Sequence, residues 1–221
     1  MAIVFSDVGG TVFDGAPWLH LRKHPTWNKT RGNLESYKFL PLYVLSKMGF
    51  VSETTMRQRW LAGMASVFKG MPRQEILQMY SETIKKDLQS VFHADVVARL
   101  QEHKANGDTV ILVSGIFVDL VELIAEDIGI DGAIGTKMEF KDGIATGKIV
   151  GIPCVGAQKI VYIKDYVQTN HPDIKLEDCY GYADSYSDRA LLSAVGHGVA
   201  TYPDKDMREL ANKKSWEIMP V

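Results

Sequence analysis

The feature that most limits the fold is a change of hydrophobic period near residue 93. Beyond it, helix-like and strand-like stretches alternate: HADVVARLQEHKANG, then strand DTVILVS, then helix FVDLVELIAEDIG, then a hairpin of TKMEF and IATGKIV about a turn at Asp142-Gly143. Helix VGAQKIVYIKDYVQTN, strand DCYGYAD, helix YSDRALLSAV, strand HGVATY, helix DKDMRELANKK and a short strand around WEIM complete the series. Strands separated by amphipathic helices cannot pair through tight turns, so the pattern predicts a parallel sheet with helices on both faces.

Ahead of that series the pattern differs. Residues 2–6 form an apolar run that ends at Asp7 and meets two glycines, a buried strand entering a tight loop. Residues 15–33 mix Pro, Gly, aromatics and bases without a period, as in a connector or flap. From Leu34 to about Leu88 the period is helical: LESYKFLPLYVLSKMGF, which Pro41 should kink or divide, SETTMRQRWLAGMASVFKG opening on Ser52-x-x-Thr55, and PRQEILQMYSETIKKDL with Pro72 at the helix entry. The expectation is a Rossmann-like α/β core over 1–14 plus 93–221, with an α-helical unit inserted over 15–92.

Composition narrows the partners. Lys and Arg total 25 against 27 for Asp and Glu, a net charge of −2, which supplies no bulk attraction to nucleic acid or an anionic membrane. Cys154 and Cys179 lie outside any metal-ligand spacing and read as reduced packing residues. MAIVF lacks a basic leader segment, and the most apolar stretch, TVILVSGIFVDLVELIA, carries Asp119 and Glu122. A soluble cytoplasmic protein is expected, with a small phosphorylated metabolite as its partner.

Open α/β sheets bind ligands at the carboxyl ends of their strands, and those ends carry Asp7, Ser114 and Asp184. Ser114-Gly115, at a strand end and a helix entrance, suits phosphate oxygens, although the same pair also serves as ordinary helix capping. Asp184 and Asp188 form a pair of carboxylates suited to Mg²⁺; the alternative is a helix cap with a solvated neighbour. Lys159, near a helix N-terminus where the dipole disfavours a cation, points to an anionic partner, against a background of common surface lysines. Together these groups balance: Mg²⁺ and Lys159 offset Asp7, Asp184, Asp188 and a bound phosphate.

The ordered motifs DVGGTVFDG, VILVSGIFVD, the Lys159 helix and CYGYADSYSDRALLSAVGHGVATYPD with a trailing SWEI resemble the haloacid dehalogenase superfamily, in its phosphoserine-phosphatase-like branch. That resemblance covers nearly the whole chain and makes the helical insert a cap. It implies Asp7 as the nucleophile that forms an aspartyl-phosphate. Ser114, Gly115 and Lys159 would hold the substrate phosphate. Mg²⁺ would be held by Asp7, the Gly9 backbone carbonyl and Asp184, with Asp188 in support.

The loop Asp7-Val8-Gly9-Gly10-Thr11 departs from the family pattern, which places a second Asp, the general acid/base, where this chain has Gly9. Weak turnover with phosphate and Mg²⁺ binding retained is expected. Three accounts of Gly9 compete: an introduced substitution that stalls a phosphatase, a natural non-catalytic phosphate-ligand binder, or a relative with other chemistry. Asp184 and Asp188 argue against a metal-free dehalogenase, and the otherwise complete set favours the first account. DVGGT also fits the phosphate loop of a sugar-kinase-type ATP-binding module, but residues 15–105 supply helices where that fold has a hairpin.

Substrate signals are sparser. The stretch FDGAPWLHLRKHPTW has no carboxylate beyond Asp14 to hold a substrate ammonium, so phosphoserine is disfavoured. Arg22, Lys23, His24, Arg57 and Arg59 are candidates for a larger anionic substrate, and Trp18, Trp27 and Trp60 are pocket or core aromatics.

Overall fold

Ile3–Ser6 form β1, the strand from which the rest of the sheet is organised. In the computed structural model, which describes residues 2–220, β1 pairs in parallel with β2 (Thr109–Phe117) on one side and β5 (Tyr180–Ala183) on the other. With β3 (Gly132–Lys141), β4 (Ile144–Val150), β6 (His197–Thr201) and β7 (Glu217–Met219), the sheet order is β4-β3-β2-β1-β5-β6-β7. All pairings are parallel except the β3–β4 hairpin. Its turn, Asp142-Gly143, has both residues at positive φ, the twist a two-residue hairpin demands. The chain runs outward from β1 in one direction and then returns to its other side, which opens a crevice at the carboxyl ends of β1, β2 and β5.

The period of two along β1 divides the core. Val4 joins Leu112 and Tyr182 on one face of the sheet, while Ile3 and Phe5 join Ile111, Val113 and Ile163 on the other. Both faces are covered by helices, the expected α/β arrangement.

Four helices lie between β1 and the return of the chain: α1 (Trp18–Leu21), α2 (Lys29–Lys47), α3 (Glu53–Val67) and α4 (Arg73–Thr83). Ser52 accepts from the Thr55 N–H at 3.1 Å to start α3, and Pro72 stands at the entry to α4, as the sequence signals predict. A π-helical turn over Ile84–Leu88 ends the group before α5 (Ala94–Ala105). Backbone bonds from the Gly70 N–H to the Ala145 carbonyl (2.8 Å) and from the Ala145 N–H to the Met71 carbonyl (2.9 Å) tie this segment to β4. Arg73 also reaches the buried Asp119 at 2.6 Å in α6 (Val118–Asp127).

Two expectations are corrected here. The aperiodic stretch 15–33 holds α1 and the first turn of α2, which Asn28 starts by accepting from the Arg31 N–H at 3.0 Å. Pro41 neither breaks nor divides α2, which runs continuously through it. Pro41 and Tyr37 lie on the exposed side of α2, so water can serve the carbonyl that proline leaves unpaired. No helix among the described residues is long and apolar enough to cross a membrane.

Candidate active site

Asp7 follows β1 directly, and its N–H is held by the Tyr182 carbonyl at 2.8 Å, so the chain leaves the sheet in a fixed direction. Its side chain lines a cleft of about 310 Å³. Lys159, in the first turn of α7 (Gln158–Asn170), is 3 % exposed and bridges two acids: Nζ lies 2.6 Å from Asp7 Oδ1 and 2.7 Å from Asp188 Oδ1. Asp184 follows β5, and its Oδ1 accepts from the Thr11 hydroxyl at 3.3 Å.

One oxygen from each of Asp7, Asp184 and Asp188 falls within 4.8 Å of the others. Three carboxylates thus share one ammonium, and the imbalance marks their acidities. Burial pushes the Asp184 carboxyl up to about 7, with Asp7 and Asp188 adding repulsion. Burial also raises Asp7, against the pull of Lys159. For Lys159 burial disfavours the charge, but Asp188 and Asp7 outweigh it and hold the ammonium above its usual range. An all-oxygen donor set with surplus negative charge fits a hard divalent cation.

The capping alternative for Asp184 and Asp188 does not hold. Ser185 accepts the Ser187 N–H at 3.2 Å, and Asp188 is buried against Lys159 instead of being solvated before α8 (Arg189–Ala194). Ser114 and Gly115 line the same cleft, but not at a strand end: β2 runs on to Phe117, with its pairing to β3 irregular between Val113 and Phe117, and α6 starts only at Val118. Ser114 thus faces the cleft from within an irregular stretch of β2, without an adjoining helix N-terminus. Gly115 is a close approach, since a Cβ there would lie 2.7 Å from Val155 Cγ1.

The two loop glycines are not alike. Gly10 has a φ of +85°, and a Cβ on it would overlap the Asp184 carboxylate. A Cβ on Gly9, which lines the cleft, would meet only the Gly15 carbonyl at 3.4 Å, an ordinary contact.

Of the candidate bases, Arg57 lines this cleft, Arg22 and Arg59 line two other cavities, and His24 pairs with Glu82 at 3.2 Å. Trp18 and Trp60 line the cleft, while Trp27 is 7 % exposed and packs edge-on against Phe68. The sequence assigns no role to Thr11 or Leu61, and to Gly10 only a place in the alternative ATP-binding loop. Thr11 was quoted with its loop, but only the fold brings its hydroxyl to Asp184.

Residues 4–193 match the haloacid dehalogenase-like hydrolase family. The chain belongs to that family. It is similar to the phosphoserine phosphatase SerB1 of Mycobacterium tuberculosis (strain ATCC 25618 / H37Rv), with 29 % identity over 98 % of this chain and 70 % of that protein. Its fold is shared with a protein of unknown function from Bordetella pertussis Tohama I, at a TM-score of 0.80 and 22 % identity over 98 % of this chain and 97 % of that one. A substrate-bound phosphoserine phosphatase complex has the same fold at a TM-score of 0.62 and 18 % identity, covering 94 % and 89 % of the two chains. Among the described residues of this haloacid dehalogenase-like hydrolase, Asp7, Asp184 and Asp188 form the one cluster of potential metal-ligating side chains.

Proposed function

We propose that the chain is a phosphatase scaffold that cleaves a small phosphate monoester through Asp7, with Mg²⁺ held by Asp7, the Gly9 carbonyl and Asp184, and with its proton-transfer step impaired at Gly9. The observation that carries this reading is the Asp7 carboxylate, buried just beyond the carboxyl end of β1, 2.6 Å from Lys159 and open to the cleft. Family membership and the similarity to a relative named as a phosphoserine phosphatase support it.

Asp7 attacks phosphorus, the bond to the alcohol oxygen breaks, and an aspartyl-phosphate forms. Lys159 and Ser114 hold the phosphate oxygens in the orientation that exposes phosphorus to Asp7. Water then cleaves the acyl phosphate and restores the carboxylate. Bound Mg²⁺ would neutralise the surplus charge of the three acids and the phosphate. The segment 15–92 serves as a cap that closes one side of the cleft.

Gly9 has no titratable group to protonate the departing alkoxide or to take a proton from water. Loss of a positioned acid/base costs about 10²- to 10⁴-fold in rate, and esters with acidic leaving groups suffer least. A Cβ at Gly9 would meet nothing closer than an ordinary contact. Gly9→Asp is therefore expected to raise phosphate release from alkyl esters by about 10²- to 10⁴-fold, measured as kcat/KM. No increase would sink the impairment, and release that persists in Asp7→Asn would sink the nucleophile assignment.

The missing group equally favours a second reading, a non-catalytic binder of a phosphorylated ligand. Phosphate binding without any Asp7-dependent release would establish it. The ATP-binding reading of DVGGT gains no support, because α1 to α4 follow the loop where that fold has a hairpin.

A further inference from the structure

Besides its charged and polar groups the cleft has an apolar lining. It includes Pro17, Trp18, Trp60, Leu61, Ile116 and Val155. Both indoles are backed by other rings: Trp18 packs edge-on against Phe117 at 5.4 Å, and Trp60 lies tilted against Phe39 at 4.6 Å. Such rings offer a preformed apolar surface at little cost in side-chain entropy. The same two tryptophans line a second cavity of about 110 Å³, where Arg22, Asn33 and Ser36 also stand. A group that extends beyond the indoles therefore meets another cation and two hydrogen-bonding side chains.

Charge completes the picture. Apart from Asp7, Lys159 and Asp188, the charged side chain lining the cleft is Arg57. Arg57 is exposed and pairs within its helix with Glu53 at 2.7 Å, a surface pair of little strength that a ligand can displace. Both floor acids are engaged by Lys159. Asp14 is exposed and does not line the cleft. An ammonium on the leaving group would meet the Arg57 guanidinium in a cleft that no free carboxylate lines, whereas a carboxylate or second phosphate would find a partner.

We infer that the site takes a phosphate monoester whose alcohol is aromatic or extended and apolar and carries a second anionic group, and that it discriminates against phosphorylated amines such as phosphoserine. This inference rests on the phosphatase reading above and narrows its substrate class.

Calorimetric titration of the intact chain with Mg²⁺ present tests it, using phenyl phosphate, 4-carboxyphenyl phosphate, O-phosphoserine, phosphoethanolamine and inorganic phosphate. The carboxylated aryl ester is expected to bind roughly tenfold tighter than phenyl phosphate, and both to bind tighter than the two amines. Arg57→Gln should bring the ratio of the two aryl esters close to one. Equal affinities in the unmodified chain, a ratio that survives Arg57→Gln, or tighter binding of O-phosphoserine would overturn the inference and leave the phosphatase reading standing. Failure of inorganic phosphate and of every ester to bind would remove that reading itself, and the inference with it.

Discussion

On the sheet side of the cleft, Asp7, Ser114, Lys159 and Asp188 are each no more than 6 % exposed, and the acids and the ammonium are locked together by ion pairs. On the helical side Trp18 and Trp60 are half-buried, Arg57 is exposed, and contacts are mostly apolar. The first wall is held by β1, β2, β5 and α7, whose backbones are fixed by the sheet and its covering helices. The second rests on a segment whose buried side chains, Met64, Phe68, Ile76 and Tyr80 among them, share one hydrophobic cluster with Phe117, Leu120 and Ile124, and which is tied further to β4 and through the Arg73–Asp119 pair. On the proposed reading, the groups that hold reacting atoms are buried in an ion-paired cluster, and the groups that meet the leaving group lie on partly exposed helix surface.

That contrast makes substitutions on the two walls behave differently. The largest effect is expected from Lys159→Met, which leaves three clustered carboxylates with no buried cation. It should cost about 3–5 kcal/mol of stability, read from urea unfolding at pH 8 without Mg²⁺, and a midpoint equal to that of the unmodified chain would refute it. Asp184→Asn should act in the opposite direction on the fold. Its carboxyl is raised to about 7 in the folded chain, so the folding penalty is absent below about pH 4, grows as pH rises, and is complete above about pH 7. At pH 8 the metal-free Asn variant should gain roughly 1–3 kcal/mol and lack the stabilisation by Mg²⁺ expected of the unmodified chain in thermal melts. A metal-induced shift of equal size in both proteins would refute the role of Asp184.

The smallest effect belongs to the helical wall. Trp60→Leu should raise KM for phenyl phosphate by roughly threefold to tenfold and leave kcat within about twofold. A collapse of kcat with KM unchanged would mean that this wall takes part in the chemical step, and the contrast would fail.

Legibility in the sequence follows the same division. Asp7 and Asp184 stand directly after apolar runs, and Lys159 opens an amphipathic helix, so local pattern was enough to nominate them. Ser114-Gly115 reads as a strand end, but β2 runs on to Phe117 through an irregular pairing with β3 that has no local signature. Arg57 and Arg59 are two residues apart on one helix and so face different sides, yet nothing nearby says which side meets the cleft. The start of α2 at Lys29 was hidden because its apolar period begins only at Leu34, although Asn28 was a capping signal that could have marked it. Position 9 was legible as an absence, while the constraint on position 10 comes from Asp184, distant in the chain and adjacent in space.

Gly9 and Gly10 give the loop an unusual kind of adaptability. Replacement at position 10 disturbs backbone and site at once, so fold and function are lost together. At position 9 a Cβ would stand at ordinary contact distance, and on the proposed reading a substitution there changes activity while the scaffold is kept. One residue of this loop is then a point where catalysis can be tuned apart from stability, and its neighbour a point where the two cannot be separated.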